Sequence, residues 1–230
     1  KIEDNIIGAD ASLTNKISND IGIFIVEGAN RNTIRWNTIG GSLSRGIMVT
    51  GFASSNVLWR NYIGTNGAGG IKMPNKVGIG LLNSNFNTIA NNKVWYNETG
   101  IYEENGENYI SNNDITENTG NTGIHLVKSF SEIIGNIITK DCTDAIKCES
   151  GSDPTIRLNN IFDNKGFGLV NTDQVVKINA TNNWWGTASG PINKTIGNVS
   201  AGNWLSSESK LTVLAARDTL YISESGTDSM

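Results

Sequence analysis

The sequence predicts an all-β solenoid, in which the chain winds into coils of short strands that stack in parallel sheets. The main observation is an Asn with an apolar residue three positions before it and another two positions after it. Seven copies of this pattern are centred on Asn5, Asn37, Asn61, Asn92, Asn113, Asn136 and Asn159. A second signal, Gly or Ala followed by Ile or Leu, lies further along most copies, as in Gly46-Ile47 and Gly100-Ile101. Self-similarity at a period of ~20–50 residues is typical of solenoids.

The spacing of the repeats sets the size of one coil. The first apolar positions are 34, 58, 89, 110, 133, 156 and 178, with steps of 24, 31, 21, 23, 23 and 22 residues. Apart from the long step, a coil has about 22–23 residues, enough for three short strands and three turns. Stacked coils place identical strands ~4.8 Å apart in parallel sheets. We therefore expect three sheets and about 7–8 coils.

The recurring Asn is interpreted as a ladder at a bend between strands. An amide carries both donors and acceptors, so each Asn can bond the Asn of the next coil. A role in contacting sugars is the alternative. A second, weaker column follows the first and consists of Asn66, Asn97, Asn118, Asp141 and Asn164. The aliphatic residues around each Asn and after each Gly should form interior columns.

These repeats resemble the right-handed parallel β-helix of pectin-lyase-like proteins, including the NosD-like and the carbohydrate-binding and sugar-hydrolase groups. The resemblance covers about 190 of the 230 residues and ends at Asn182–Pro191. It implies a β-helix over residues 1–191, with Trp184 and Trp185 closing the core end. Residues 192–230 are then a C-terminal cap or tail, or the start of a further domain. The fold hosts lyases, hydrolases, epimerases and non-catalytic modules, so it does not specify the activity.

Bulk properties exclude several classes of partner. The net charge is −4, with no basic stripe, which argues against nucleic-acid binding. No apolar run approaches the ~20 residues of a membrane span. The chain opens inside a repeat, which predicts a segment of a longer protein whose open coil end could self-associate. Cys142 and Cys148 could form one disulfide or remain two buried thiols.

Two coils carry insertions at the same corner. The insertions occupy residues 8–20 and 64–76, two coils apart, and should project side by side. Insertions of a solenoid map to loops on one face, often the binding face. Asn66 and Lys72 are the binding candidates in the second insertion, and a tolerated insertion without function is the alternative.

A column of exposed residues follows each Gly-Ile pair. Phe24, Met48, Tyr102 and His125 belong to it and could stack against sugar rings on a flat outer sheet. Ordinary exposed sheet residues are the alternative interpretation. His125 is the single histidine and, with Glu103, a candidate catalytic residue.

Glu103 is placed by strand alternation in an inward-facing column, where an unpaired carboxylate would be costly. We expect a bulge or early turn before Asn105-Gly106 to release it, the alternative being a functional carboxyl. Asp141 and Asp144 are candidate calcium ligands, because hard cations need converging oxygens. The four acidic residues of that coil, Asp141, Asp144, Glu149 and Asp153, should, however, fall on different faces. No cofactor is otherwise expected.

The favoured function is an extracellular or cell-surface structural or binding module, which contacts a polysaccharide or a surface protein and could belong to a larger assembly. The alternative is a polysaccharide lyase, hydrolase or epimerase. Glycoside hydrolysis needs two carboxylates across a bond, and the sequence offers no convincing pair. The copper role of NosD-like proteins would require His and Met clusters, and the chain has one His and three Met. Glycosylation sequons at Asn97, Asn179, Asn193 and Asn198 agree with secretion.

Overall fold

The computed structural model describes residues 1–66, 70–120, 122–141 and 143–208, and these residues form strands and turns without any helix. The chain winds as a right-handed parallel β-helix of about eight coils, which confirms the predicted fold class. Each coil contributes one strand to each of three faces. Among the described residues, no helix has the length and hydropathy that a membrane span requires.

The first face contains the strands that precede the recurring Asn. They are β1 (Ile2–Glu3), β4 (Thr33–Arg35), β7 (Val57–Trp59), β10 (Asn85–Ala90), the second half of β12 (Thr99–Ser111), β15 (Glu132–Ile134), β18 (Thr155–Arg157), β21 (Ile178–Asn179) and β23 (Val199–Ser200).

The second face contains the strands that follow the recurring Asn. They are β2 (Ile6–Ile7), β5 (Thr38–Ile39), β8 (Tyr62–Ile63), β11 (Lys93–Trp95), β13 (Asp114–Thr116), β16 (Ile137–Thr139) and β19 (Asn160–Phe162).

The third face contains the strands that carry the Gly-Ile signal. They are β3 (Ile21–Ile25), β6 (Arg45–Val49), β9 (Val77–Leu82), the first half of β12, β14 (Thr122–Ser129), β17 (Asp144–Glu149), β20 (Leu169–Asn171) and β22 (Thr195–Ile196). Because β12 rounds the corner without a break, the first and third faces join in one 16-stranded sheet, and the second is a 7-stranded sheet.

The core is a stack of aliphatic side chains in strict register. All strand pairs are parallel, and Val94, for example, lies between Ile63 and Ile115. These three side chains are 0% exposed. Each coil therefore buries its inner face against itself and its two neighbours, which provides the hydrophobic stabilisation of the solenoid.

The predicted Asn ladder is present at the corner between the first and second faces. At each step the backbone N–H and the side-chain amide of one Asn donate to Oδ1 of the next, at 2.9–3.1 Å. The ladder runs from Asn5 to Asn159 and gains one further member, Asn183. From Asn37 onward these amides are at most 1% exposed, so buried polar groups are paired along its length.

The other two corners carry ladders of their own. The second joins Asn75, Asn97, Asn118, Asp141 and Asn164. The sequence interpretation placed Asn66 at its head, which is wrong: the insertion shifts the register, and Asn75 occupies that position. The third ladder, which the sequence analysis missed, joins Asn32, Asn56, Asn87, Asn108 and Ser131.

Trp184 and Trp185 extend the β-helix at its C-terminal end in different ways. Trp185 is fully buried, and its ring lies beside Gly168 and Ile161, whereas Trp184 is half-buried and bridges to Asn160. Strands β22 and β23 add a partial coil beyond the boundary predicted at residue 191. Residues 209–230 lie outside the described part of the chain.

Candidate functional site

The outer surface of the third face carries a continuous column of outward-facing residues. The strand register aligns one residue per coil, in the order Phe24, Met48, Gly80, Tyr102, His125, Lys147 and Val170. Their neighbours in sequence point into the core, as shown by Ile101 and Ile124, which are 0% exposed. The column advances ~4.8 Å per coil along the axis.

The centre of the column is a contact between Tyr102 and His125. Their ring centroids lie 5.3 Å apart with an interplanar angle of 85°, an edge-to-face arrangement. His125 Nε2 lies 2.9 Å from Glu149 Oε2, and the other oxygen of Glu149 pairs with Lys147 Nζ. The carboxylate therefore fixes the orientation of the imidazole on the sheet.

Burial and hydrogen bonding determine the protonation states of Tyr102 and Glu149 in this cluster. Tyr102 donates its hydroxyl to Glu104 Oε2 at 2.9 Å. Partial burial, helped by that carboxylate, raises the pKa of Tyr102 to about 12, so its hydroxyl stays protonated. Hydrogen bonds from Lys147, and then His125, hold the pKa of Glu149 below its usual range. Glu149 is therefore an anion at neutral pH.

Arg45 completes the surface on the other side of Tyr102. At Gly80 a Cβ atom would lie 2.6 Å from Cδ and Nε of Arg45, so the arginine stem occupies the space above this glycine. The positive charge of Arg45 also opposes the raised pKa of Tyr102, which places it near the phenol. A larger residue at position 80 would displace Arg45.

This arrangement combines a half-exposed aromatic edge with fixed donors and acceptors. Arg45 and Lys147 supply two cations, and Glu104 and Glu149 supply two anions, so the formal charges of these four groups cancel. Such a surface suits a ligand that offers hydroxyl groups and apolar C–H faces rather than a single strong charge. His125 is also a side chain of the type most often used in general acid–base catalysis.

Only some of the binding candidates come together. Phe24, Met48, Tyr102 and His125 share the column, although the coils of Gly80 and Tyr102 lie between Met48 and His125. Asn66 and Lys72 instead lie in the second insertion, at the corner between the second and third faces.

The two insertions form short hairpin-like loops. Antiparallel bridges join Ala9 to Lys16 in the first and Thr65 to Lys72 in the second. Lys72 lies 3.6 Å from Glu117 and 4.3 Å above the Tyr96 ring. A cavity of about 270 Å³ lies along this corner, lined in part by residues of both insertions, including Lys16, Ser18, Pro74 and Asn75.

Glu103 corrects an expectation from the sequence. Strand β12 continues through Asn105 without releasing the side chain, and Glu103 is 0% exposed inside the coil. Its Oε1 accepts hydrogen bonds from Ser131 Oγ at 2.6 Å and Asn108 Nδ2 at 2.9 Å, whereas Oε2 has no partner among the described residues. Burial raises the pKa of this carboxyl. Glu103 therefore lies below the third ladder, away from the outer surface.

Asp141 and Asp144 have separate structural contacts. Asp141 is a buried member of the second ladder and accepts hydrogen bonds from the backbone and side chain of Asn118 at 2.8 and 3.0 Å. Burial raises its pKa to about 7. Asp144 accepts the Phe167 N–H at 2.7 Å. The described residues contain no group of three or more His, Cys, Asp or Glu side chains that could hold a metal ion.

One glycosylation candidate is wrong. Asn97 is 0% exposed and bonded within the second ladder, so the folded chain cannot present it to a transferase. Asn179 and Asn193 are exposed, and Asn198 is half-buried. Cys148 is a free, buried thiol whose pKa is raised by burial, and Cys142 lies outside the described residues.

Two comparisons identify the class and then the family of the protein. A crystal structure of the periplasmic alginate epimerase AlgG (T265N mutant) is similar over 80% of this chain, with a TM-score of 0.54 and 16% sequence identity. That likeness shows a shared β-helix fold, and the match spans 48% of the AlgG chain. Residues 66–189 match the family described as "Periplasmic copper-binding protein (NosD)", and the chain belongs to this family. No curated protein matches the sequence.

The copper binding in the family description can be tested against the donor atoms present. Copper favours imidazole and soft sulfur ligands. His125 is the only histidine, and its Nε2 is already bonded to Glu149. Met48 lies three coils from His125, and Met73 and Cys148 are buried. The described residues therefore do not fit a copper site.

Arg45, Glu104 and Glu149 were missed as parts of the site. The alternation of inward-facing and outward-facing residues along a strand was sufficient to find Glu104 and Glu149. Each lies two positions after a column residue and therefore points outward, as Glu104 does beside Tyr102. The contact of Glu149 with His125 in the preceding coil could be found only from the exact strand register.

Proposed function

We propose that this protein is a cell-envelope β-helix module that binds a carbohydrate chain along the outer surface of the third face. The observation that carries the proposal is the Tyr102–His125 contact, held on a flat sheet by Glu104 and Glu149. Aromatic edges and paired polar groups are what a sugar needs for C–H stacking and hydroxyl hydrogen bonds.

The period of the sheet supports a polymer rather than a single sugar. Column residues recur every ~4.8 Å along the axis, so an extended chain lying on the column would contact several of them. Phe24, 53% exposed, and Met48 extend the apolar part of the surface toward the N-terminal coils. Because the charges around Tyr102 cancel and the chain carries a net charge of −4, we propose a neutral polysaccharide.

The family description and the structural relative both support a location outside the cytoplasm. Each names a periplasmic protein. Secretion to the cell surface is the finer form of this proposal. Binding of a surface protein and self-association through coil ends remain further predictions, and light scattering at high concentration tests the latter.

Binding is tested by adding neutral oligosaccharides, such as cellohexaose and mannohexaose, and alginate oligomers to ¹⁵N-labelled protein. We expect neutral chains to shift the amide signals of Tyr102, His125 and Leu126. Tyr102→Ala should weaken binding at these signals about tenfold, corresponding to one aromatic contact. Tyr109→Ala is the matched control, because Tyr109 lies on the same strand but on the first face. Equal loss in both variants, or no shift with any sugar, would refute the proposal.

A polysaccharide-modifying enzyme is the second candidate. The observation that favours it is the 2.9 Å contact of His125 with Glu149, because a carboxylate that orients an imidazole is suited to a general base. The structural relative is an alginate epimerase. Incubation with acidic and neutral polysaccharides would then give new reducing ends, unsaturated products or epimerised sugars. His125→Gln should abolish the product if this second function is correct, and no product from any polysaccharide excludes it.

A further inference from the structure

A second groove lies at the corner where the third face turns into the first. It encloses about 500 Å³ and is lined by residues from four successive coils, including Asn85, Asn105, Glu107, Lys128, Phe130 and Ser150. Its span of three strand spacings is about 14 Å along the axis. This volume lies within the range of sites for small ligands, ~300–1,000 Å³.

The backbone of Gly106 contributes to the groove, and the reason is the buried carboxyl below it. A Cβ at Gly106 would collide with Glu103 Oε1 and lie 2.9 Å from Asn108 Nδ2. A side chain at position 106 would therefore point into the coil, and only main-chain atoms of Gly106 border the groove. Glu103 and the third ladder fix this part of the corner.

The groove lining combines an apolar ring with polar groups that are free to bind. Phe130 is 58% exposed beside Glu107 and Lys128. Among the described residues neither Lys128 nor Glu107 forms an ion pair. Asn85 uses its Oδ1 to accept the Glu107 N–H at 3.0 Å, and Asn105 donates its amide to Asn83 at 3.2 Å. The amino group of Asn85 and the Oδ1 of Asn105 have no partner among the same residues.

These features define the chemistry of the occupant. One cation and one anion disfavour a ligand with a single strong charge. Amide groups offer both a donor and an acceptor, which suits hydroxyl groups, and the Phe130 ring suits an apolar C–H face. The axial span suits several linked sugar rings. We propose that this corner groove is a second carbohydrate-binding site, which takes a short stretch of a neutral oligosaccharide.

This site is independent of the column around Tyr102. The groove lies on a different corner of the coil, and neither Tyr102 nor His125 lines it. The inference would stand even if the outer surface of the third face bound nothing. The two sites are distinguished by their own backbone signals in one experiment.

The experiment is a titration of the ¹⁵N-labelled protein with cellohexaose, mannohexaose and alginate oligomers. We expect a neutral oligosaccharide to shift the amide signals of Gly106, Ser129 and Gly151. Phe130→Ala should weaken binding at these signals about tenfold. Tyr102→Ala should leave the corner signals unchanged. Persistence of the corner shifts without shifts at His125 would support this inference while refuting the function proposed for the third face.

The matched control is Phe52→Ala. Phe52 is 77% exposed at the same corner but does not line the groove, so its loss should not alter the corner shifts. Both phenylalanines are exposed, so neither variant should compromise folding. The inference is overturned if no oligosaccharide shifts Gly106 and Gly151, if only the acidic oligomers do so, or if Phe130→Ala and Phe52→Ala behave alike.

Discussion

The inside of the coil and the outside of its third face repeat with the same period but differ in what they repeat. Along the first ladder every coil presents the same amide, from Asn5 to Asn183. Along the outer column each coil presents a different side chain, including Met48, Tyr102 and His125. The difference shows that the fold constrains the interior, whereas the exterior can vary without disturbing the winding. Residues with a specific function are therefore expected at outer positions, where the side chains differ from coil to coil.

The largest effect should follow from removing an amide of the first ladder. Asn113→Ala removes the acceptor of the Asn92 backbone N–H in a buried corner. It also removes the hydrogen bonds of the Asn113 side chain to the Asn92 amide, the Ile89 carbonyl and the Asn136 Oδ1. With four buried hydrogen bonds lost and a backbone N–H without its partner, we expect a loss of about 5 kcal/mol in the free energy of unfolding. Urea denaturation followed by circular dichroism measures it. A loss of less than about 1 kcal/mol would show that the ladder is dispensable.

Asp141 is the one titratable residue of the second ladder, whose other described members are all Asn. Burial raises its pKa from 3.8 to about 7, so the folded state retains a proton that the unfolded state has lost between these values. The contribution of Asp141 to the free energy of unfolding should therefore be fully present below about pH 4. It should be lost as the pH rises through 7, a decrease of about 4 kcal/mol in total.

Asp141→Asn should remove this pH dependence and stabilise the protein above neutrality. The amide restores the group found at the neighbouring positions Asn118 and Asn164. Urea unfolding of both proteins at several pH values between 4 and 8 gives the measurement. Asp163→Asn, at an exposed position, controls for the change in net charge. Parallel pH profiles for the native protein and Asp141→Asn would contradict the assignment.

The smallest effect on stability should come from the outer column. Tyr102→Phe removes the hydroxyl bonded to Glu104 while keeping the ring beside His125. We expect a change of less than about 1 kcal/mol in the free energy of unfolding, since the group is near solvent. Affinity for a neutral oligosaccharide should fall severalfold at the same time. A large loss of stability without a change in binding would assign this residue to the scaffold.

The sequence was sufficient to predict the parallel β-helix and its first ladder, because both depend on strict periodicity. The third ladder also had a sequence signal: Asn32, Asn56, Asn87 and Asn108 each lie five residues before a member of the first ladder. Glu103 was misplaced because its compensating partner Ser131 belongs to the next coil. Local propensity around Asn105-Gly106 favours a turn, and only the three-dimensional register shows that Ser131 and Asn108 stabilise the buried carboxyl.

The outer site was partly predictable for a related reason. Alternation placed Phe24, Met48, Tyr102 and His125 on one surface, but side-chain reach across coils decided which of them meet. His125 pairs in register with Lys147 but contacts Glu149, two residues further along that strand, and no spacing rule specifies this diagonal contact. The groove at Phe130 was not predicted at all, because a turn's concavity depends on backbone angles at Lys128 and Ser150, which both have positive φ.

Every strand pairs only with its counterparts in the adjoining coils, as β4 pairs only with β1 and β7. A whole coil could therefore be gained or lost in evolution with little disturbance to the remainder. Each such event would lengthen or shorten the rod by one strand spacing, ~4.8 Å. The length of the β-helix can therefore change in steps of a single coil, by duplication or deletion of one repeat.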